Sequence, residues 1–233
     1  MYVDKTEQIF KLATTGKYYF LSRPRRFGKS LLVSTMEAYF RGRRDLFEGL
    51  AIANLEKEWK QYPVLRMDFS GKAYDREDVL EKVLDNSLCR WEALYGVVNR
   101  SDVPGLRMGN IIEAAHAQTG LPVVILIDEY DKPIVDNLGN DSLMELFRTQ
   151  LQGFYSVMKA EDAHIKLGFL TGVTKIGKLS IFSSLNNIKD ISMDARYSDI
   201  CGISEEDLKK NLRKSKVLRR LKGLYIPSES SLK

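Results

Sequence analysis

The sequence predicts an α/β fold, a three-layer sandwich with helices on both faces of a mainly parallel central sheet. Three observations predict it. Short apolar runs of strand length alternate with longer segments of helical period. The run 121–127, LPVVILI, is apolar throughout, which suits a strand covered on both faces. Residues 17–29 pass from an aromatic strand through a turn holding Pro24 and Gly28 into a helix, a context in which backbone N–H groups can meet phosphate.

Taken in order, residues 17–22 (KYYFLS) read as a buried strand. From Lys29 the positions Leu31, Leu32, Thr35, Met36 and Tyr39 take helical spacing, predicting a helix to about Arg41. A strand is expected at 63–70, helices at roughly 75–98 and 107–119, and a central strand at 121–129 ending in Asp128 and Glu129. A helix at about 141–160, a strand at 166–172 and a short strand near 188–193 complete the pattern. Strands alternating with helices imply right-handed crossovers and an open parallel sheet. Residues 1–202 are read as one domain and 203–233 as a basic helical tail, the remnant of a following lid or C-terminal region. That tail carries Lys209, Lys210, Arg213, Lys214, Lys216, Arg219, Arg220 and Lys222 beside a sparse apolar face. A solvated helix or a nucleic-acid arm would read the same way, but so few apolar residues cannot close a core alone.

With 233 residues, 44% hydrophobic and 29% charged, the chain is an ordinary globular composition. Cys89 and Cys201 are far apart, which excludes a disulfide framework and the usual zinc ribbons. His116 and His164 lie on separate predicted elements with no ligand-like partners, and read as surface or packing residues. Neither a basic-then-apolar leader nor a run of about 18 apolar residues occurs, so a cytoplasmic protein without membrane contact is expected. A net charge of +5 suits contact with phosphates, whether of a nucleotide or of DNA or RNA, and equally suits solubility.

Gly28-Lys29-Ser30 ends the pattern G-x-x-x-x-G-K-[ST], but the place of its first glycine is taken by Arg23. A G-K-[ST] tripeptide arises by chance in about one chain in ten of this length, so it decides little alone. What strengthens it is the strand ending in Asp128-Glu129. An acid at a strand tip beside a phosphate loop can hold Mg²⁺, and its neighbour can polarise the attacking water. Nucleotide contact is therefore assigned to Arg25, Arg26, Phe27, Gly28, Lys29, Ser30 and Leu31, metal to Ser30 and Asp128, and catalysis to Glu129, Lys29 and Thr171. The two arginines either bond phosphate or face solvent. Thr171 and Thr174 either sense the γ-phosphate and orient the water or simply close their strand. Asp68 is a candidate indirect support of the metal site, acting through a group that touches the ion, and Arg196 a candidate charge-stabilising arginine, while Tyr2 and Phe10 either flank a base or pack. The alternative is that Asp128 and Glu129 merely begin a surface loop, with Asp131 and Lys132 as solvated neighbours.

Several stretches resemble, in order, the bacterial AAA-ATPase-like family: YVDKT at 2–6, FLSRPRRFGKSLLVSTMEAYF, FEGL at 47–50, YPVLRMDFS, VVILIDEYDKP, GFLTGVTK and SSLNNIKDIS to CGISEEDL. The resemblance covers about residues 1–208. It implies a P-loop NTPase fold, nucleotide contact by Lys29 and Ser30, Asp128 and Glu129 at the magnesium and the water, and ATP with Mg²⁺ as ligands. In that family a PD-(D/E)XK-type nuclease domain follows. Beyond about residue 210 this sequence departs from the pattern, so lid and nuclease regions are expected to be missing. Such sites are often completed by lids or neighbouring subunits, which makes a homo-oligomer an expected form. Three readings stand: an Mg²⁺-dependent ATPase core serving an unknown partner, a nucleotide-binding switch without turnover, and a nucleic-acid-associated module of a defence or mobile-element system.

Overall fold

The structure is a computed structural model and describes residues 3–98, 100–175, 181–182 and 187–212. In chain order the elements are α1 (Thr6–Thr15), β1 (Tyr18–Ser22), α2 (Lys29–Phe40), α3 (Ile52–Leu55), β2 (Val64–Asp68), α4 (Val79–Tyr95) and α5 (Pro104–Thr119). Then follow β3 (Val123–Asp128), α6 (Lys132–Val135), α7 (Asp141–Ala160), β4 (Ile165–Gly172), β5 (Lys189–Asp190) and α8 (Glu205–Leu212).

The strands form one all-parallel sheet in the order β2-β3-β4-β1-β5. Strand residues alternate between two cores, as a period of two requires. Tyr19, Leu21, Val124, Leu126, Leu167 and Phe169 pack with α1, α2 and α3. Tyr18, Phe20, Leu65, Met67, Ile125, Ile127 and Leu170 pack with α4, α5 and α7. The three-layer α/β sandwich is thus the fold observed, and all six residues of β3 are buried as its unbroken apolar run requires. Register carries the strand ends to one edge: Ser22 lies opposite Gly172, and Asp68 opposite Asp128.

Some elements differ from expectation. Helix α1, with Ile9, Leu12 and Ala13 turned into the core, was not foreseen from the sequence. The strand near 188–193 is only Lys189–Asp190. Ile191 N–H still bonds Phe20 O, but the Asp190 carboxylate takes Ser192 N–H at 2.9 Å and turns the chain out of the sheet. The basic helix starts as α8, where the Ser204 and Asp207 side chains each accept the other's backbone N–H. Asp207 also holds Lys5 at 2.5 Å, and residues 213–233 lie outside the described residues. His116 and His164, on separate elements, stack with ring centroids 4.8 Å apart. Their Nδ1 atoms are engaged by Leu121 O and the Glu161 carboxylate, so the pair is a packing contact. Among the described residues no helix is long and apolar enough to cross a membrane.

Candidate functional site

The site begins where β1 ends. After Ser22 the chain makes an exposed turn over Pro24 to Gly28, with left-handed backbone at Arg26 (φ 65°) and Gly28 (φ 84°). At Gly28 a side chain would be strained, which explains the second glycine of the motif. Alternation of left- and right-handed residues is the backbone form that turns successive N–H groups into one concavity. Gly28 O accepts Leu32 N–H at 3.0 Å and opens α2, whose free N–H groups face the same end.

Lys29 is buried at 4% exposure, although it begins a surface helix. Its ammonium folds back into the loop and donates to Arg23 O at 3.0 Å and Pro24 O at 3.2 Å. A buried ammonium held by two carbonyl oxygens is a cation stored inside the turn. The next residue, Ser30, is exposed, and its hydroxyl makes no hydrogen bond among the described residues. Arg25 and Arg26 are exposed, as are Phe27 and Leu31 on the cavity side of the turn.

Across the end of β4 lie the acids. Asp128 is fully buried. Its Oδ1 accepts the Thr171 hydroxyl at 2.5 Å, and its Oδ2 has no hydrogen-bond partner among the described residues. Strands β1 and β3 are separated by β4 alone, so the two strand tips are roughly 10 Å apart, the scale of a triphosphate with its ion. Glu129 has left-handed backbone (φ 54°). Burial pushes its carboxyl above the ordinary range and the Asp128 charge adds to this, while Lys29 opposes it; Asp68 and Arg25 act more weakly. Those five charges therefore share one end of the sheet. Asp68 is exposed and bonds Ser70 N–H at 2.8 Å.

Thr171 sits between the loop and the acids, and its hydroxyl is spent on Asp128 while it receives Glu129 N–H at 3.4 Å. Thr174 is turned to Asp131 instead. Asp131, which the surface-loop alternative would leave solvated, is 1% exposed. It takes Val173 N–H at 3.0 Å, Thr174 N–H at 2.6 Å and the Thr174 hydroxyl at 2.8 Å. It thus ties the loop after β4 to the loop after β3. Gly172 permits this approach, since a Cβ there would lie 2.5 Å from the Tyr130 ring. The sequence signal was an acid three residues beyond Asp128, just before a helix whose second residue is Pro133.

Beside the loop opens an apolar cavity of about 240 Å³, walled by Val3, Ile9, Phe27, Leu31, Ile200 and Gly202 among others. Phe10 is packed against the core beside Ile9, one position round α1, and Tyr2 lies outside the described residues. The structure gives Phe10 no place in that wall. Arg196 is likewise not brought to the site, because Asp194 holds its guanidinium.

Ser30 and Asp128 present a hydroxyl and a carboxylate, hard oxygen donors that fit Mg²⁺. No cluster of three or more His, Cys, Asp or Glu could hold a metal among the described residues.

The family model described as "Predicted AAA-ATPase" matches residues 1–182. The chain belongs to that family. It is also 43% identical over 208 residues to an "Uncharacterized protein in vnfD 5'region" of Azotobacter chroococcum mcd 1. The match covers 89% of this chain and 40% of that relative, so the chain spans less than half of the relative's length. No solved structure matches. Membership of an AAA-ATPase family agrees with the parallel sheet and its covering helices.

Proposed function

We propose that this chain is a P-loop ATPase core that binds ATP with Mg²⁺ and hydrolyses it at the edge formed by Ser22, Thr171 and Asp128. The observation that supports this best is the pairing of a buried Lys29 ammonium, folded into its own loop, with a buried Asp128 carboxylate that keeps one oxygen free.

In this reading the backbone of residues 25–30 and the first turn of α2 cradle the phosphates, and Lys29 exchanges its two carbonyl partners for phosphate oxygens. Ser30 and Asp128 would hold the magnesium, whose charge would offset that of the phosphates. Thr171 is a positioning residue that fixes the Asp128 carboxylate. Glu129 accepts a proton from water as the water oxygen bonds the γ-phosphorus and the bond to the β,γ-bridging oxygen breaks, leaving ADP and phosphate. The raised Glu129 carboxyl moves it toward the range in which a base works at neutral pH. The apolar cavity takes the base.

Titration with ATP, with and without Mg²⁺, followed by single-turnover phosphate release, tests the reading. Wild type should bind and hydrolyse. Lys29→Ala should lose at least tenfold in affinity, as expected for a charge-assisted contact. Glu129→Gln should bind normally and release little phosphate. Unchanged binding by Lys29→Ala would end the reading. Binding without phosphate release by wild type would leave a nucleotide-dependent switch.

A further inference from the structure

The glycine absent from position 23 raises a question about the arginine found there. Position 23 is not among the residues with positive φ, so the backbone does not require glycine. Its N–H continues the sheet by bonding Gly172 O at 3.1 Å. Its guanidinium does something a glycine cannot. It donates to Ser22 O at 3.1 Å, to Ser192 O, and to Tyr197 O at 3.4 Å.

Two of those carbonyls belong to the chain that leaves β5 and runs on to the cavity wall. Ser192 is itself buried and accepts Ser22 N–H at 2.8 Å. Tyr197 and Ile200 anchor the segment in the core, and Ile200 to Ile203 then form one side of the cavity. The same segment touches the loop again at its other end. The peptide nitrogen of Gly202 lies 3.6 Å from where a Cβ of Gly28 would be, and a Cβ at Gly202 would lie 3.5 Å from the Phe27 ring. Loop and wall are therefore joined at both ends, by Arg23 at the root and by Phe27, Gly28 and Gly202 at the tip.

We infer that Arg23 is a positioning residue that couples the phosphate loop to the wall of the base cavity, so that filling either half of the site orders the other. The inference rests on the nucleotide reading above. It carries a counter-intuitive consequence: restoring the glycine of the general pattern at position 23 weakens nucleotide binding. A guanidinium can satisfy several carbonyls at once from one rigid fork; an ammonium reaches fewer of them, and glycine none.

Calorimetric titration with Mg·ATP and with inorganic tripolyphosphate, which has no base, separates this role from a general loss of stability. Wild type should bind ATP more tightly than tripolyphosphate. Arg23→Gly should lose about tenfold for ATP, the ordinary size of a coupling between sites, and less than threefold for tripolyphosphate, with Arg23→Lys recovering part of the loss. A second measurement needs only wild type: saturating tripolyphosphate should slow amide exchange at residues 200–203 at least threefold, although the anion has no base to place against them. Equal weakening of both ligands by Arg23→Gly, no weakening at all, or unchanged exchange at 200–203 would overturn the coupling. Lys29→Ala distinguishes the two levels. It should weaken ATP and tripolyphosphate together, and if it weakens neither, the nucleotide reading itself is wrong.

Discussion

Two buried carboxylates in this molecule have opposite surroundings. Glu92 on α4, 1% exposed, receives Arg107 of α5 through both oxygens at 2.6 and 2.9 Å, and Arg100 lies 3.1 Å away. Arg107 also reaches Asp85 at 2.6 Å. Asp128, no more exposed, has one donor on one oxygen and, among the described residues, none on the other. A buried carboxylate without full compensation is expensive to keep. The satisfied cluster joins two helices. The unsatisfied one sits at the carboxyl edge of the sheet beside a stored ammonium, where a ligand with its own cation would complete it.

The largest effect that would sharpen this contrast is expected at Glu92→Gln. It leaves Arg107 buried without its paired charge, costs about 3 kcal/mol of unfolding free energy, and leaves ATP affinity unchanged. Arg107 holds the Glu92 carboxyl below the ordinary glutamate range. Its contribution is therefore present at neutral pH and lost as the pH falls through the acid range, and the variant should show a shallower acid dependence in denaturant unfolding. Thr171→Val comes next. Removing the donor leaves both Asp128 oxygens unpaired, at a cost of about 1–2 kcal/mol, and phosphate release should fall with it.

Asp128→Asn should do the reverse of Glu92→Gln, changing stability by less than about 1 kcal/mol while abolishing the effect of Mg²⁺ on ATP binding, because strain at functional sites is held for function. A loss as large as that at Glu92 would break the contrast. The smallest effect belongs to Glu129. Its carboxyl is raised in the folded state, chiefly by burial. The folded protein therefore binds the proton more tightly than the unfolded chain, and stability falls as pH rises through that raised value. Glu129→Gln should melt about 2 °C higher at pH 7, and the difference should vanish below the ordinary glutamate range.

Much of the fold could be read in advance because its signals are local. The apolar run at 121–127 could only be a strand covered on both sides, and α7 falls on the expected residues because its amphipathic period spans five turns. Helix α1 was missed because it is half the length of α7, although Ile9, Leu12 and Ala13 keep helical spacing. The tips of β1 and β3 could be named as candidates from Gly28-Lys29-Ser30 and Asp128-Glu129. Asp131 could not, since an acid before a short helix has the same letters whether it faces water or the loop after β4. Arg23 stood in plain view as a missing glycine, but its partners lie 169 and 174 residues away.

What the sequence determined alone was the set of elements and the chemistry placed at their ends, because periodicity and turn residues act within a few positions of one another. What only the tertiary structure decided was which of those ends share one hollow. Insertion of β4 between β1 and β3 brings Lys29, Thr171 and Asp128 to a common edge, and the return of residues 191–203 beside the loop builds the cavity. Pairing between distant strands and the burial of an isolated charge are properties of the packed whole, and no window along the chain contains them.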